Sequence, residues 1–248
     1  MDIISQLHRN ALHDVAHYKA YLERYHKDSL TLIDHYRHLR QLLPIYQLIE
    51  SLMKTIELPA PLPTELNFLL ERSKEIESDL AFLAPHVPAM YRDEITNSTQ
   101  QYCDYLNTLD KNDVTACTEI FIHYLIRILG DLFGGQGLKK CVLDLYKHYT
   151  IFPTENEEGV KFYCFGKNTL KDFAAWLRQI EVGKDELDKF GTSAYQKNIA
   201  IFDELEATRM KLSQTQNYCN LFKKAAVVGT AALVTGAVLA TTYTRFTL

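Results

Sequence analysis

His123-Tyr-Leu-Ile-Arg127-Ile-Leu-Gly130-Asp131-Leu-Phe-Gly134-Gly135-Gln-Gly137-Leu-Lys139-Lys140 is the stretch on which the fold turns. Its first half places its polar residues, His123 and Arg127, four apart, the spacing of one helix face and not the alternation of a strand. Four glycines then fall within eight residues, with no proline among them. Each glycine inside a helix costs roughly 1 kcal/mol relative to alanine, so a helix through all four loses on the order of 4 kcal/mol. Two explanations offset that loss. Another helix packs closely on Gly130 and Gly134, a G-x-x-x-G pair on one face, or a flat, bulky ligand lies where no Cβ fits. Asp131 follows Gly130 and stands four from Arg127, so a carboxylate lies beside bare main chain, where a proton-handling group is useful.

Two phosphate-binding readings of these glycines fail. A P-loop needs Lys and Ser or Thr where Gln136 and Gly137 stand, and a dinucleotide fingerprint needs a preceding strand.

Outward from this stretch the chain reads as helix throughout, and an all-α fold is expected. From Ile3 to Met53 there is no glycine and one proline, Pro44, and apolar residues recur at three and four. A polar break at Lys27-Asp28-Ser29 separates two expected helices, the second capped by Asp28 or Ser29. Leu58-Pro-Ala-Pro-Leu-Pro63 is an extended linker, because alternating prolines cannot lie inside a helix. Further helices are expected over Glu65–Leu83, Met90–Leu109, Asp113–Lys147, Leu170–Glu181 and Glu186–Asn220, with an irregular segment between Tyr149 and Lys167.

The 248 residues are 47% hydrophobic and 23% charged, an ordinary globular composition. A net charge of −4 argues against a nucleic-acid binder, whose footprint is basic. Five scattered cysteines without a C-x-x-C favour a reduced setting over a disulfide scaffold or zinc site. The amino terminus lacks a basic region and apolar run, so it is not read as a secretory signal. Ala225 to Tyr243 carries no charge and lies between Lys223-Lys224 and Arg245. It is expected to be a single-pass C-terminal membrane anchor with the main domain cytoplasmic, although its Ala, Gly and Thr content also suits a packed soluble helix. The expected division is a helical domain over 1–222 and a hydrophobic tail over 223–248.

Of the nine histidines, His13 and His17 stand four apart on one helix, the spacing of a two-histidine metal site. Glu23-Arg-Tyr-His26 gives one Glu-x-x-His motif, where a di-iron bundle needs two. No Ser-His-Asp or Cys-His signature is present, so nucleophilic catalysis has no support.

The sequence Ile128-Leu-Gly-Asp-Leu-Phe-Gly-Gly-Gln136, followed by Lys139-Lys140, resembles the distal-helix signature of the biliverdin-producing haem oxygenases. The likeness runs from about His8 to Leu205. It implies one α-helical domain that clamps haem between a proximal helix supplying a histidine and a kinked, glycine-rich distal helix. Spacing to Tyr46-x-x-x-Glu50 places the proximal ligand at His13, with His17 where the family has an orienting glutamate. The family's distal polar set falls on Asp131, Arg127, Tyr46 and Asn198. Gly130, Gly134 and Gly135 are expected to face the macrocycle, Tyr195 to lie near it, and Arg178 to meet a propionate. Leu125, Ala174 and Gln6 replace other common propionate partners, and Phe133 replaces a small serine. The resemblance implies that haem, as substrate and cofactor, is cleaved with O2 to biliverdin, ferrous iron and carbon monoxide. Electrons come from a reductase or ferredoxin, for which Lys139 and Lys140 are candidate docking residues. The competing class is a tail-anchored haem-storage or sensing protein.

Overall fold

The structure, a computed structural model, describes residues 2–17, 19–26, 29–153 and 157–211. Met1–Glu206 form one compact unit and Ala207–Leu248 another. Among the described residues there is no strand, and the first unit is built from nine α-helices. They are α1 (Ile3–His8), α2 (Ala11–His17), α3 (Ala20–His26), α4 (Leu32–Met53), α5 (Arg72–Leu83), α6 (Asn97–Asn107), α7 (Val114–His148), α8 (Thr169–Leu177) and α9 (184–206). The expected membrane anchor, 225–243, and the expected boundary at 222 lie outside the described residues. Among the described residues no helix is long and apolar enough to cross a membrane.

Helix α4 is the centre, packing against α5, α6 and α7. Its start is a capping box: the Thr31 hydroxyl accepts from Asp34 N at 3.1 Å, and Asp34 Oδ2 accepts from Thr31 N at 3.0 Å. The cap is therefore Thr31, not Asp28 or Ser29. Pro44 sits inside α4, so that turn lacks one backbone donor. Helix α7 runs unbroken for 35 residues through all four glycines. Every residue from Ile120 to Leu129 is buried, which is the pattern of a helix covered on all sides.

Three expected helices are interrupted, two of them where a side chain outcompetes the helical ladder. The Asn10 amide oxygen accepts from Leu12 N at 3.0 Å, and its nitrogen donates to Thr192 Oγ1 at 3.0 Å. That interruption separates α1 from α2 and fastens both to α9. The segment 65–83 divides into a 3₁₀ turn over Thr64–Leu70 and α5. In 90–109 the α-helix begins only at Asn97, because Thr96 caps it. Between these elements, Asp79 accepts from Lys161 N and Phe162 N at 3.0 and 2.9 Å, pinning the irregular segment onto α5.

The core also contains a polar cluster that periodicity does not reveal. His35 and His38 are 0% and 5% exposed and share the Tyr25 hydroxyl, at 3.2 and 2.8 Å from their Nδ1 atoms. His35 Nε2 meets the Tyr146 hydroxyl at 3.2 Å. Burial is the main cause that pushes both imidazoles down to about 3, seconded at His35 by His38 and at His38 by Arg127. Both rings are neutral in the fold, whereas in the unfolded chain they protonate below about 6.5. Their contribution is complete above pH 6.5 and is lost as pH falls toward 3, by about 2 kcal/mol each at pH 5. The urea midpoint is expected to drop steeply between pH 6.5 and 5. The double variant His35→Gln, His38→Gln should show a shallower slope over that interval.

Candidate functional site

Three helices carry the site's polar groups. Tyr46 is carried by α4, Arg127 and Asp131 one turn apart by α7, and Asn198 by α9. The Tyr46 hydroxyl donates to Asp131 Oδ2. Part of Asp131 reaches solvent, yet the surrounding protein governs its ionisation and pushes the carboxyl up to about 7. Burial is the largest cause; the Tyr46 hydrogen bond and the charges of Arg72 and Arg127 oppose it. Near neutral pH this carboxyl is divided between acid and base, the condition for moving a proton.

Arg127 lies with its guanidinium carbon 5.5 Å from the centre of the Tyr102 ring, and its Nε and Nη2 are buried without a hydrogen-bond partner. Asn198 Oδ1 is likewise buried and unpartnered. Such atoms are expensive in a finished core and mark where a polar molecule binds.

The glycines divide into two groups. Among the described residues a Cβ at Gly130, Gly134 or Gly137 would meet nothing within 4 Å, so no packed helix there explains them and the G-x-x-x-G packing reading finds no support. Gly135 is different: a Cβ there would stand 3.4 Å from Phe165 and 3.9 Å from Tyr163, so this glycine faces side chains of the segment after α7. Phe133 is 59% exposed, so its bulk does not fill the core.

His13 is carried by α2. Its Nδ1 lies 3.0 Å from Asp14 Oδ1, and a carboxylate only accepts, so Nδ1 carries a proton and, in the neutral ring, Nε2 keeps its lone pair. The bond to His13 Nδ1 is thus made by Asp14, while His17 stacks parallel to His13 at 6.3 Å. On the other side Tyr195 meets the His13 ring edge-on at 5.9 Å, and its hydroxyl donates to the Leu7 carbonyl at 3.3 Å. The imidazole thus has an oriented nitrogen and a supported ring, with 27% of the side chain exposed.

Other expected residues are less involved. Arg178 is exposed at the end of α8, and no acid pairs with it among the described residues. Leu125 is wholly buried in the core. Lys139 is held by Glu157 at 2.7 Å, which leaves Lys140 as the freely exposed member of the basic pair.

Arg72 was missed by sequence reading. It is 2% exposed, donates to the Phe162 carbonyl, and lies 4.4 Å over the Phe165 ring. Its charge reaches Asp131 and Tyr46. A single arginine after a proline linker gives no signal of that position.

Comparison with known proteins points one way. The protein-family model described as heme oxygenase matches residues 6–204. Heme oxygenase 1 of Nostoc sp. (strain PCC 7120) is 28% identical over 160 residues, 61% of this chain and 63% of that relative's length. Among solved structures, heme oxygenase-1 from Synechocystis sp. PCC6803 in complex with heme superposes with a TM-score of 0.69 at 20% identity, covering 89% of this chain and 100% of that one. Heme oxygenase from Leptospira interrogans gives 0.63 at 20% identity, covering 82% and 100%.

Proposed function

Because the chain belongs to the heme oxygenase family, we propose that it cleaves haem oxidatively, using O2 and externally supplied electrons, to biliverdin, ferrous iron and carbon monoxide. One observation carries this reading: a carboxyl poised at about 7 stands directly beside Gly130, a helical position with nothing near its missing Cβ.

The residues fit a haem substrate. His13 would hold the haem iron through Nε2 when Nδ1 carries the proton, with Asp14 in the supporting role that orients such a ligand. Gly130 and Gly134 would let a flat ring lie against main chain, and Arg178, exposed at the end of α8, is the expected partner of a haem carboxylate. When bound, haem supplies the iron that activates O2 and is itself the molecule oxidised. The chain's own residues handle protons. Asp131 in its acid form donates, Tyr46 fixes the carboxyl's orientation, and Arg127 and Asn198 hold water with their unpartnered atoms.

Electrons come from a separate reductase or ferredoxin, since the chain has no flavin or nicotinamide motif. Lys140 is the member of the basic pair available to an acidic surface on that donor. The 223–248 tail anchors the 1–222 domain to a membrane from its cytoplasmic side.

The test is to add haemin to the protein, follow the Soret band, then add a reductant under air. Loss of the band with a rising broad red absorbance is expected. A Soret band that persists would make this a haem-binding protein without oxygenase activity, and no shift on adding haemin would remove both readings.

A further inference from the structure

The hydrogen bonds that link Tyr146, His35, Tyr25 and His38 admit only one placement of their protons. Gly159 stands at φ +91, where a Cβ would collide with the Phe82 ring, so this backbone, and with it the Gly159 carbonyl, is set by a position only glycine fills. That carbonyl can only accept, and the Tyr146 hydroxyl lies 2.6 Å from it, so the single phenolic proton is spent there. The Tyr146 oxygen must then accept from His35 Nε2 at 3.2 Å. With its proton on Nε2, His35 accepts at Nδ1 from the Tyr25 hydroxyl, also at 3.2 Å. The Tyr25 oxygen in turn accepts from His38 Nδ1 at 2.8 Å. His38 is left with a bare Nε2, and no hydrogen bond to that atom exists among the described residues.

The surroundings of that nitrogen lead to the polar set. The Phe202 ring lies 5.6 Å from His38, and Asn198 is one turn before Phe202 on the same face of α9. Arg127 is close enough for its charge to act on His38. Two donors on Arg127 and one acceptor on Asn198 are buried without partners, His38 Nε2 has no hydrogen-bond partner among the described residues, and water is the molecule that satisfies donors and acceptors alike.

We propose that His38 is a further positioning residue: its Nε2 is a fixed acceptor that holds water between α4, α7 and α9, and Tyr146, His35 and Tyr25 lock it in that role. Its catalytic consequence rests on the oxygenase reading, while the tautomers do not.

The first test is ¹⁵N NMR of the imidazole nitrogens in the protein without haem, assigned by loss of signals in His35→Gln and His38→Gln. His38 is expected to carry its proton on Nδ1 and His35 on Nε2; either reversed would overturn the proposal. Tyr146→Phe, remote from the reaction, removes the pin and should give mixed tautomers at both rings, whereas unchanged tautomers would mean that Tyr146 does not lock them. In the haemin assay, His38→Leu should take up haemin at the same midpoint but consume it roughly tenfold more slowly, below the range for loss of a direct proton donor. His38→Gln, which keeps an acceptor, should restore most of the rate. A His38→Leu rate equal to the parent's overturns the positioning role. If the parent itself does not consume haemin, the oxygenase reading fails and the tautomer result still decides whether His38 is the fixed acceptor.

Discussion

Asp131→Asn takes up haemin as the parent chain does but consumes it at least about 100-fold more slowly, the loss expected when a positioned proton donor is removed. Asparagine preserves shape and still accepts the Tyr46 hydroxyl, so the pocket survives while titration does not. The pH profile separates this from a structural effect. The folded pKa of Asp131 is raised to about 7, mainly by burial, so the donating acid form is full below pH 7 and disappears above it. In the parent the rate should therefore fall as pH rises through about 7, and in Asp131→Asn that limb should be absent. The variant should also fold at least as well at pH 7, because the fold opposes ionisation of this carboxyl. Equal haemin consumption by parent and variant would remove Asp131 from the reaction.

His13→Ala carries the second large effect. The Asp14 carboxylate fixes the proton on Nδ1 and leaves Nε2 as the ligand atom, and Tyr195 supports the ring. Loss of the imidazole should weaken haemin uptake by more than about 100-fold, beyond the roughly 10- to 100-fold that outer partners of such a ligand contribute. It should also change the spectrum of what does bind, and added imidazole should restore it. Asp14→Ala should weaken uptake by about tenfold. His17→Ala should leave the spectrum unchanged, since His17 stacks beside His13 without taking the orienting bond. Swapped results for His13 and His17 would move the ligand one turn along α2.

The sequence made the helices legible wherever periodicity was strong, and the bounds of α7 differ from the expected 113–147 by one residue at each end. It could not show where side chains end a helix. Asn10 interrupts the first helix because Thr192 lies beside it in space, 182 positions away. Thr31 caps α4 because Asp34 completes the box, a pairing present in the sequence but passed over for the nearer Ser29. The site was legible through the glycine cluster and Asp131, residue types that are costly without a purpose. Its supports were not. Arg72, Asp14 and the His35–His38 cluster act through tertiary neighbours, and no local pattern marks a histidine as neutral and buried. Gly135, which the resemblance groups with Gly130 and Gly134, differs from them in facing Tyr163 and Phe165.

The central claim is that haem lies between the His13 imidazole and the bare main chain at Gly130 and Gly134. The most direct measurement is NMR of the protein loaded with haemin, whose paramagnetic iron broadens nearby signals. The His13 ring and the amides of Gly130 and Gly134 should be lost together. Broadening centred on another histidine, or on His13 with both glycine amides untouched, would contradict the claim.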